Sequence, residues 1–269
     1  MSAAPGLTAL VLAGSRGPGD PLALYANVEH KALIDIGGRS MLQRVIAALD
    51  AVPEVTRIVV MIERPDLLDA YPALRAAAQR CALAVLPAAG SPSLSVLAAI
   101  ESLGTPLLIT TADHALLQPE WVRYFLERTE GADVSAALAG AEAVLGALPQ
   151  TRRTWLRFAD GRYSGCNLFY FATPAGTRVA RFWREIESQR KKPINMIRRL
   201  GAFTALLYLL RVLSLRGALD RLGRRCDARL QAVTLPFGLA AVDVDKPSDL
   251  DLVRDIVAGR IEVGPSAGR

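Results

Sequence analysis

The chain has few of the residues that build metal centres and covalent frameworks. Only two histidines, His30 and His114, and three cysteines, Cys81, Cys166 and Cys226, occur in 269 residues. A histidine-rich metal site is therefore excluded. Three widely spaced cysteines form neither a zinc cluster nor a paired disulfide framework, and they fit a reducing compartment. The N-terminus lacks a basic segment followed by a long apolar one, so no signal peptide is expected. The most suspicious apolar stretch, residues 200–210, is about half the roughly 20 residues a membrane-spanning helix needs. A soluble or surface-bound protein of the cytoplasm is expected, with peripheral contact at the inner membrane surface left open.

The chain is rich in apolar residues, at 51 %, and carries a formal charge of +6. That is enough to bury one large core, and residues 1–269 are read as one domain with an inserted segment. The positive balance suits anionic partners such as nucleotides or acidic lipid surfaces, or a merely solvated basic surface.

Short apolar runs at residues 7–12, 57–62, 83–86, 106–110 and 133–139 alternate with stretches of helical spacing. "MLQRVIAALD" follows Gly37-Gly38, "SLSVLAAIESL" trails into Gly104, and "PEWVRYFLERTEG" runs from Pro119 to a stop at Gly131. This alternation predicts an α/β fold whose mostly parallel sheet is covered on both faces, a three-layer Rossmann-like arrangement. Ligands in such sheets bind beyond the carboxyl ends of strands, which directs attention to the loops after Leu12 and Thr110. "TWLRFADGRYSGCNLFYF" adds a late antiparallel hairpin around Asp160-Gly161.

The first of those loops reads Leu12-Ala13-Gly14-Ser15-Arg16-Gly17-Pro18-Gly19. Its backbone N–H groups are suited to cradling phosphate oxygens, and Arg16 would add a charge-assisted contact. No Gly-Lys-Ser/Thr follows, so it is not a P-loop, and the glycines miss the dinucleotide fingerprint. A plain strand-to-helix turn is the competing reading. Lys31-Ala32-Leu33, then Gly38 and Met41, complete a pattern that resembles the MobA-like NTP transferases, nucleotidyltransferases of GT-A-like fold.

That resemblance covers roughly residues 7–172 and 237–258. It implies that Leu12, Ala13, Gly14, Ser15, Gly17 and Gly19 bind a nucleoside triphosphate, CTP or GTP ahead of the others. It also implies that Lys31, with Arg16, neutralises charge developing on the phosphates. The spacer between Gly19 and Lys31 is longer than the family pattern.

Asp113 in "LLITTADHALL" ends a strand beside that loop, where a carboxylate suits Mg²⁺. The family's corresponding aspartate is a metal ligand, although Ala115 stands where proline is usual. "DVDKPSDLDLV" places Asp243 and Asp245 two apart, on one face if the segment is a strand. It resembles the family's closing motif, which implies Asp245 as the second Mg²⁺ ligand. Ser248 and Asp249 then open the last helix behind Pro247.

"GSPSLSVLAA" has the form of the family's base-reading segment, so Ser93 or Ser95 either caps a helix or touches the nucleotide. Asn167 corresponds to an acceptor-facing position, and Cys166 would point to the core. His30 and His114 adjoin site residues, but the chemistry needs no histidine base.

Residues 190–235 are dense in Arg and Lys, with Leu, Ile, Phe and Tyr at helical spacing. A basic amphipathic helical pair is expected there, either packed on the sheet or lying on an anionic membrane. No aromatic stacking platform is interleaved with the charge, so no nucleic-acid partner is expected. The reading is a Mg²⁺-dependent transfer of a nucleotidyl group to a small phosphorylated acceptor. The alternatives are a GT-A glycosyltransferase using a nucleotide sugar, disfavoured by the late position of Asp-x-Asp, and a non-catalytic membrane-surface nucleotide-binding module.

Overall fold

A computed structural model of the chain describes residues 6–15, 17, 19–151, 153–189 and 201–264. The first half runs β1 (Leu7–Leu12), α1 (Pro21–Tyr25), a 3₁₀ turn (Lys31–Leu33), the small hairpin β2 (Asp35–Ile36) and β3 (Arg39–Ser40), and α2 (Met41–Asp50). It continues with β4 (Val55–Ile62), α3 (Leu67–Ala70), α4 (Pro72–Ala76), β5 (Ala82–Pro87), α5 (Pro92–Leu103), β6 (Leu107–Thr111) and α6 (Pro119–Leu126). Then follow β7 (Val134–Gly140), α7 (Ala141–Ala147), β8 (Leu156–Phe158), β9 (Gly161–Phe171), α8 (Gly176–Ser188), α9 (Ala202–Leu209), α10 (Leu215–Cys226), β10 (Leu230–Leu235), a second 3₁₀ turn (Gly238–Ala241) and α11 (Pro247–Val257).

Eight strands form one mixed sheet in the order β10-β7-β9-β6-β1-β4-β5, with β8 added against β9. β1 runs parallel to β4 and β6, β4 to β5, and β7 to β10. β9 alone is antiparallel to its neighbours β6, β7 and β8. This is the expected mostly parallel α/β Rossmann-like sheet with its late hairpin. Side chains alternate across it: Ala9 and Val11 face one buried cluster with α2, while Leu10, Val59 and Ile109 face the other with α5 and α8. Burial of both strand faces is why these segments read as unbroken apolar runs.

The chain progresses from β1 outward through β4 to β5, then returns to place β6 on the other flank of β1. The carboxyl ends of β1 and β6 therefore border the point where strand order reverses, the natural crevice of such sheets. Ala112 N–H donates to Leu12 O at 2.9 Å, tying the two loops together as they leave the sheet.

Three details differ from the expectation. The helix that opens at Pro119 stops at Leu126, before the Gly131 turn, because Glu127 already closes it as a C-cap. Residues 190–235 are not helical throughout: Leu230–Leu235 pair with β7 as an edge strand of the main sheet. Asp243 and Asp245 lie in an extended segment outside any strand, between the second 3₁₀ turn and α11. No helix among the described residues is long and apolar enough to cross a membrane.

Candidate active site

The loop after β1 leaves the sheet at Leu12. Ala13 N–H still donates to Met61 O of β4 at 2.9 Å, so the cradle proper starts at Gly14. Gly14 is exposed, and Gly17 has φ +81°, a left-handed conformation that L side chains rarely adopt. Asp20 ends the loop as the N-cap of α1, accepting from Leu22 N and Ala23 N at 3.0 and 3.2 Å, with Pro21 in the first turn. Part of the long spacer before Lys31 is thus a helix start. Arg16 and Pro18 lie outside the described residues.

Sequence reasoning missed Glu63, which follows β4 directly. Its Oε1 accepts Ser15 N–H at 2.8 Å and contacts His30 Nε2 at 3.2 Å. His30 Nδ1 accepts from Ala32 N at 3.1 Å, so Nε2 carries the proton and donates to Glu63. One carboxylate therefore joins the glycine loop to the turn that carries Lys31. No motif flags Glu63, because its role depends on where β4 lies beside β1. His30 has a structural role, as the cap of the 3₁₀ turn. The Ser15 hydroxyl oxygen is buried without a hydrogen-bond partner, an orphan in the loop expected to hold phosphate.

At the centre, Lys31 Nζ lies 2.9 Å from Asp113 Oδ2 and 3.3 Å from Asp245 Oδ1. Three distant segments meet here. The 3₁₀ turn presents Lys31, the end of β6 presents Asp113, and the segment before α11 presents Asp245. Thr111 Oγ donates to Asp113 Oδ1 at 2.5 Å, and Val244 N donates to the Asp113 carbonyl at 3.1 Å, pinning the two acidic segments together. Burial pulls the Lys31 pKa down. The charges and hydrogen bonds of Asp113 and Asp245 outweigh it and hold the ammonium above its ordinary value.

The ammonium thus sits between two carboxylates as a cation. Asp113 and Asp245 are hard oxygen donors, with Asp245 open to solvent at 66 % side-chain exposure. Among the described residues no three acidic, histidine or cysteine side chains group closely enough to enclose a metal ion. That donor set fits Mg²⁺, which takes one or two carboxylates and completes its shell with water and substrate phosphates.

Asp243 turns the other way from Asp245. It pairs with Arg153 Nη1 at 2.6 Å and accepts from Asn167 Nδ2 at 3.3 Å. Burial, then the charges of Asp245 and Asp113, raise its pKa against the pull of Arg153. Asn167 reaches it because β9 bulges. The register against β7 shifts between Ala136 and Leu138, and Asn167 takes φ +46°. Cys166 is buried in the core, as its place beside the bulge requires.

Ser93 and Ser95 do not cap a helix. Ser91 does, accepting from Leu94 N, while Ser93 is fully buried against Glu187 and Ser95 Oγ accepts from Ala89 N at 2.9 Å. His114 is buried beside Trp121, and burial depresses its pKa to about 4, so it is neutral near pH 7.

With a glycine loop, a lysine and two acidic segments assembled at the switch point, comparison with known proteins decides the family. Residues 9–224 match the MobA-like NTP transferase domain. The chain belongs to that family. It is an enzyme of the nucleotidyltransferase class. A solved structure described as a hypothetical transferase from Thermus thermophilus is 29 % identical, with a TM-score of 0.77, over 91 % of this chain and 100 % of that one. The 4-diphosphocytidyl-2C-methyl-D-erythritol synthase of Anaerococcus prevotii shares the fold at 11 % identity and TM-score 0.58, over 94 % of this chain and 96 % of its own. A CMP:2-keto-3-deoxy-manno-octonic acid synthetase complexed with CTP does so at 14 % and 0.56, over 95 % and 99 %. No curated protein matches the chain.

Proposed function

We propose that this MobA-like transferase moves a nucleotidyl group from an NTP, CTP first, to a small phosphorylated acceptor in the cytoplasm. The observation that carries this reading is Lys31, held between Asp113 and Asp245 beside the glycine loop. CTP is placed first because two structurally similar proteins are, by description, a diphosphocytidyl-sugar-alcohol synthase and a synthetase complexed with CTP. The sheet and its basic helical segment work as one catalytic domain spanning residues 1–269.

In the proposed reaction an oxygen of the acceptor phosphate attacks the α-phosphorus of the NTP. The bond from that phosphorus to the oxygen bridging toward the β-phosphorus breaks, and pyrophosphate leaves with the electron pair. Phosphoryl chemistry of this kind is mostly positioning and charge stabilisation.

Leu12 and Ala13 stay in the sheet and start the loop, and the free amides from Gly14 to Gly19, the Ser15 hydroxyl and Arg16 hold the triphosphate. Lys31 stabilises negative charge as it shifts toward the leaving oxygens. Asp113 and Asp245 would hold Mg²⁺, which when bound supplies charge neutralisation on the phosphate oxygens. Asn167, aimed by the β9 bulge, faces the acceptor. Ser93 and Ser95 act on the nucleotide indirectly, by fixing the start of α5.

The test is pyrophosphate release from each of the four NTPs with Mg²⁺, against a panel of phosphorylated sugars, polyols and amino alcohols. The expected result is release that needs one NTP, one acceptor class and Asp113. Turnover of a nucleotide sugar without pyrophosphate would replace this reading with glycosyl transfer. NTP binding in the presence of Mg²⁺ that is equal in the wild type and Asp113→Asn, with no turnover of any acceptor by the wild type itself, would replace it with a nucleotide-sensing module.

A further inference from the structure

Helix α9 shows solvent an apolar side. Leu206, Leu209 and Leu210 are 50, 72 and 62 % exposed, and their i, i+3, i+4 spacing places them on one face. Val212, just beyond, is 61 % exposed. The opposite side is anchored. The Tyr208 hydroxyl accepts from Arg157 N at 3.3 Å, and its ring meets Phe158 edge-on at 5.4 Å, so α9 is fastened to the β8–β9 hairpin. The helix sequence AFTALLYL contains no charged residue. A helix that is apolar all round is normally buried, and among the described residues nothing covers this face.

Charge is concentrated in the same stretch. Ten of the 32 Lys and Arg residues, and one of the 26 Asp and Glu, lie in residues 190–226. That stretch alone carries +9, and the rest of the chain −3. Arg211 and Arg216 flank the exposed leucines in sequence. A Cβ added at Gly201, the residue before α9, would lie 2.6 Å from Arg225 Nη2, so a guanidinium sits at the start of the helix. The helix is too short to span a bilayer.

We infer that α9 docks this protein on an anionic lipid bilayer, with Leu206, Leu209, Leu210 and Val212 entering the headgroup boundary and Arg211 and Arg216 meeting lipid phosphates. Apolar side chains flanked by Lys and Arg are the signature of a surface-lying helix. A second copy of the chain is the less fitting occupant, because joining two such faces would bring Arg211 and Arg216 of both copies together. The inference does not depend on the nucleotidyl-transfer reading.

The experiment is flotation of the full chain with vesicles of phosphatidylcholine alone, or containing about 30 % phosphatidylglycerol, at low and high salt. The wild type should float only with the anionic vesicles, and less at high salt. Leu206→Gln/Leu209→Gln/Leu210→Gln should lower vesicle affinity by roughly tenfold or more. Arg211→Gln/Arg216→Gln should weaken binding and flatten its salt dependence. Circular dichroism and thermal melting check that each variant is folded.

Failure of the wild type to float with anionic vesicles would overturn the inference. So would undiminished binding by the folded leucine variant. A wild-type dimer in solution that this variant converts to monomer would assign the face to a second copy instead.

Discussion

Lys31 and Asp113 stand 82 positions apart in sequence, and in the fold their charged atoms are 2.9 Å apart, with Asp245 completing the bridge from a further segment. The ammonium occupies the space between two carboxylates that a divalent cation would share. In the proposed reaction a divalent cation held by Asp113 and Asp245 would take the place of the ammonium there and leave Lys31 to the phosphates.

Replacing Lys31 by methionine should cut turnover by about 10²–10³, the scale of losing one charged stabiliser. It should also leave Asp113 and Asp245 facing each other without a cation. Mg²⁺ alone is then expected to raise the melting temperature of Lys31→Met more than that of the wild type. Differential scanning fluorimetry with and without Mg²⁺ checks this, and equal shifts would show that lysine and metal use separate places.

Asp113→Asn and Asp245→Asn should each abolish Mg²⁺-dependent turnover while leaving metal-free NTP binding within a few-fold of wild type. Calorimetric titration of NTP with and without Mg²⁺ separates the two effects. Asp243→Asn should be milder in its metal dependence, because Asp243 faces Arg153 and Asn167.

Glu63 places a negative charge against the loop proposed to receive the triphosphate. Glu63→Gln keeps an oxygen acceptor for Ser15 N–H and removes the charge, so the KM for NTP should fall, roughly threefold to tenfold. Glu63→Ala also removes the acceptor and should raise KM. Steady-state kinetics on both variants distinguish the charge from the anchor, and a fall in both would show that the anchor is dispensable.

Arg153 is 9 % exposed, and its main partner is Asp243. Arg153→Met leaves that largely buried carboxylate without its cation and should cost about 2–4 kcal/mol of stability, read from urea denaturation. A loss within about 0.5 kcal/mol, typical of an ordinary surface change, would contradict this account of the pair.

Acid should unfold the protein partly through Asp50 and Asp133. Burial alone would push Asp50 up, but backbone N–H donors from Cys81 and Arg80 outweigh it and hold it below 3.8. Asp133 is lowered by Arg229 N–H and then by the Thr173 hydroxyl. Both are depressed on folding, so their stabilisation is complete above about pH 4 and is lost as pH falls through their folded values. Asp133→Asn should lower stability at pH 7 and give a shallower decline below pH 4, as thermal melts across pH would record.

Much of this was legible in one dimension because the information is local. β1, β4, β6 and β7 are buried on both faces, so each reads as an apolar run whatever its neighbours, and the half-buried edge strand β5 is apolar as well. The Asp160-Gly161 turn marks its hairpin, Pro119 and Pro247 open their helices, and Lys31, Asp113 and Asp245 stand in short family-like motifs. Other features depend on partners remote in sequence. Glu63 matters because β4 lies beside β1, Asn167 because a bulge against β7 turns it toward Asp243, and Ser93 is taken up by Glu187 of α8. The edge strand β10 was hidden in a basic stretch, since only pairing with β7 makes it a strand. Periodicity could show that α9 is apolar, but not which side of it is covered. Hydrogen-bond and burial partners are set by packing across the sheet, and that is what the tertiary structure alone decided.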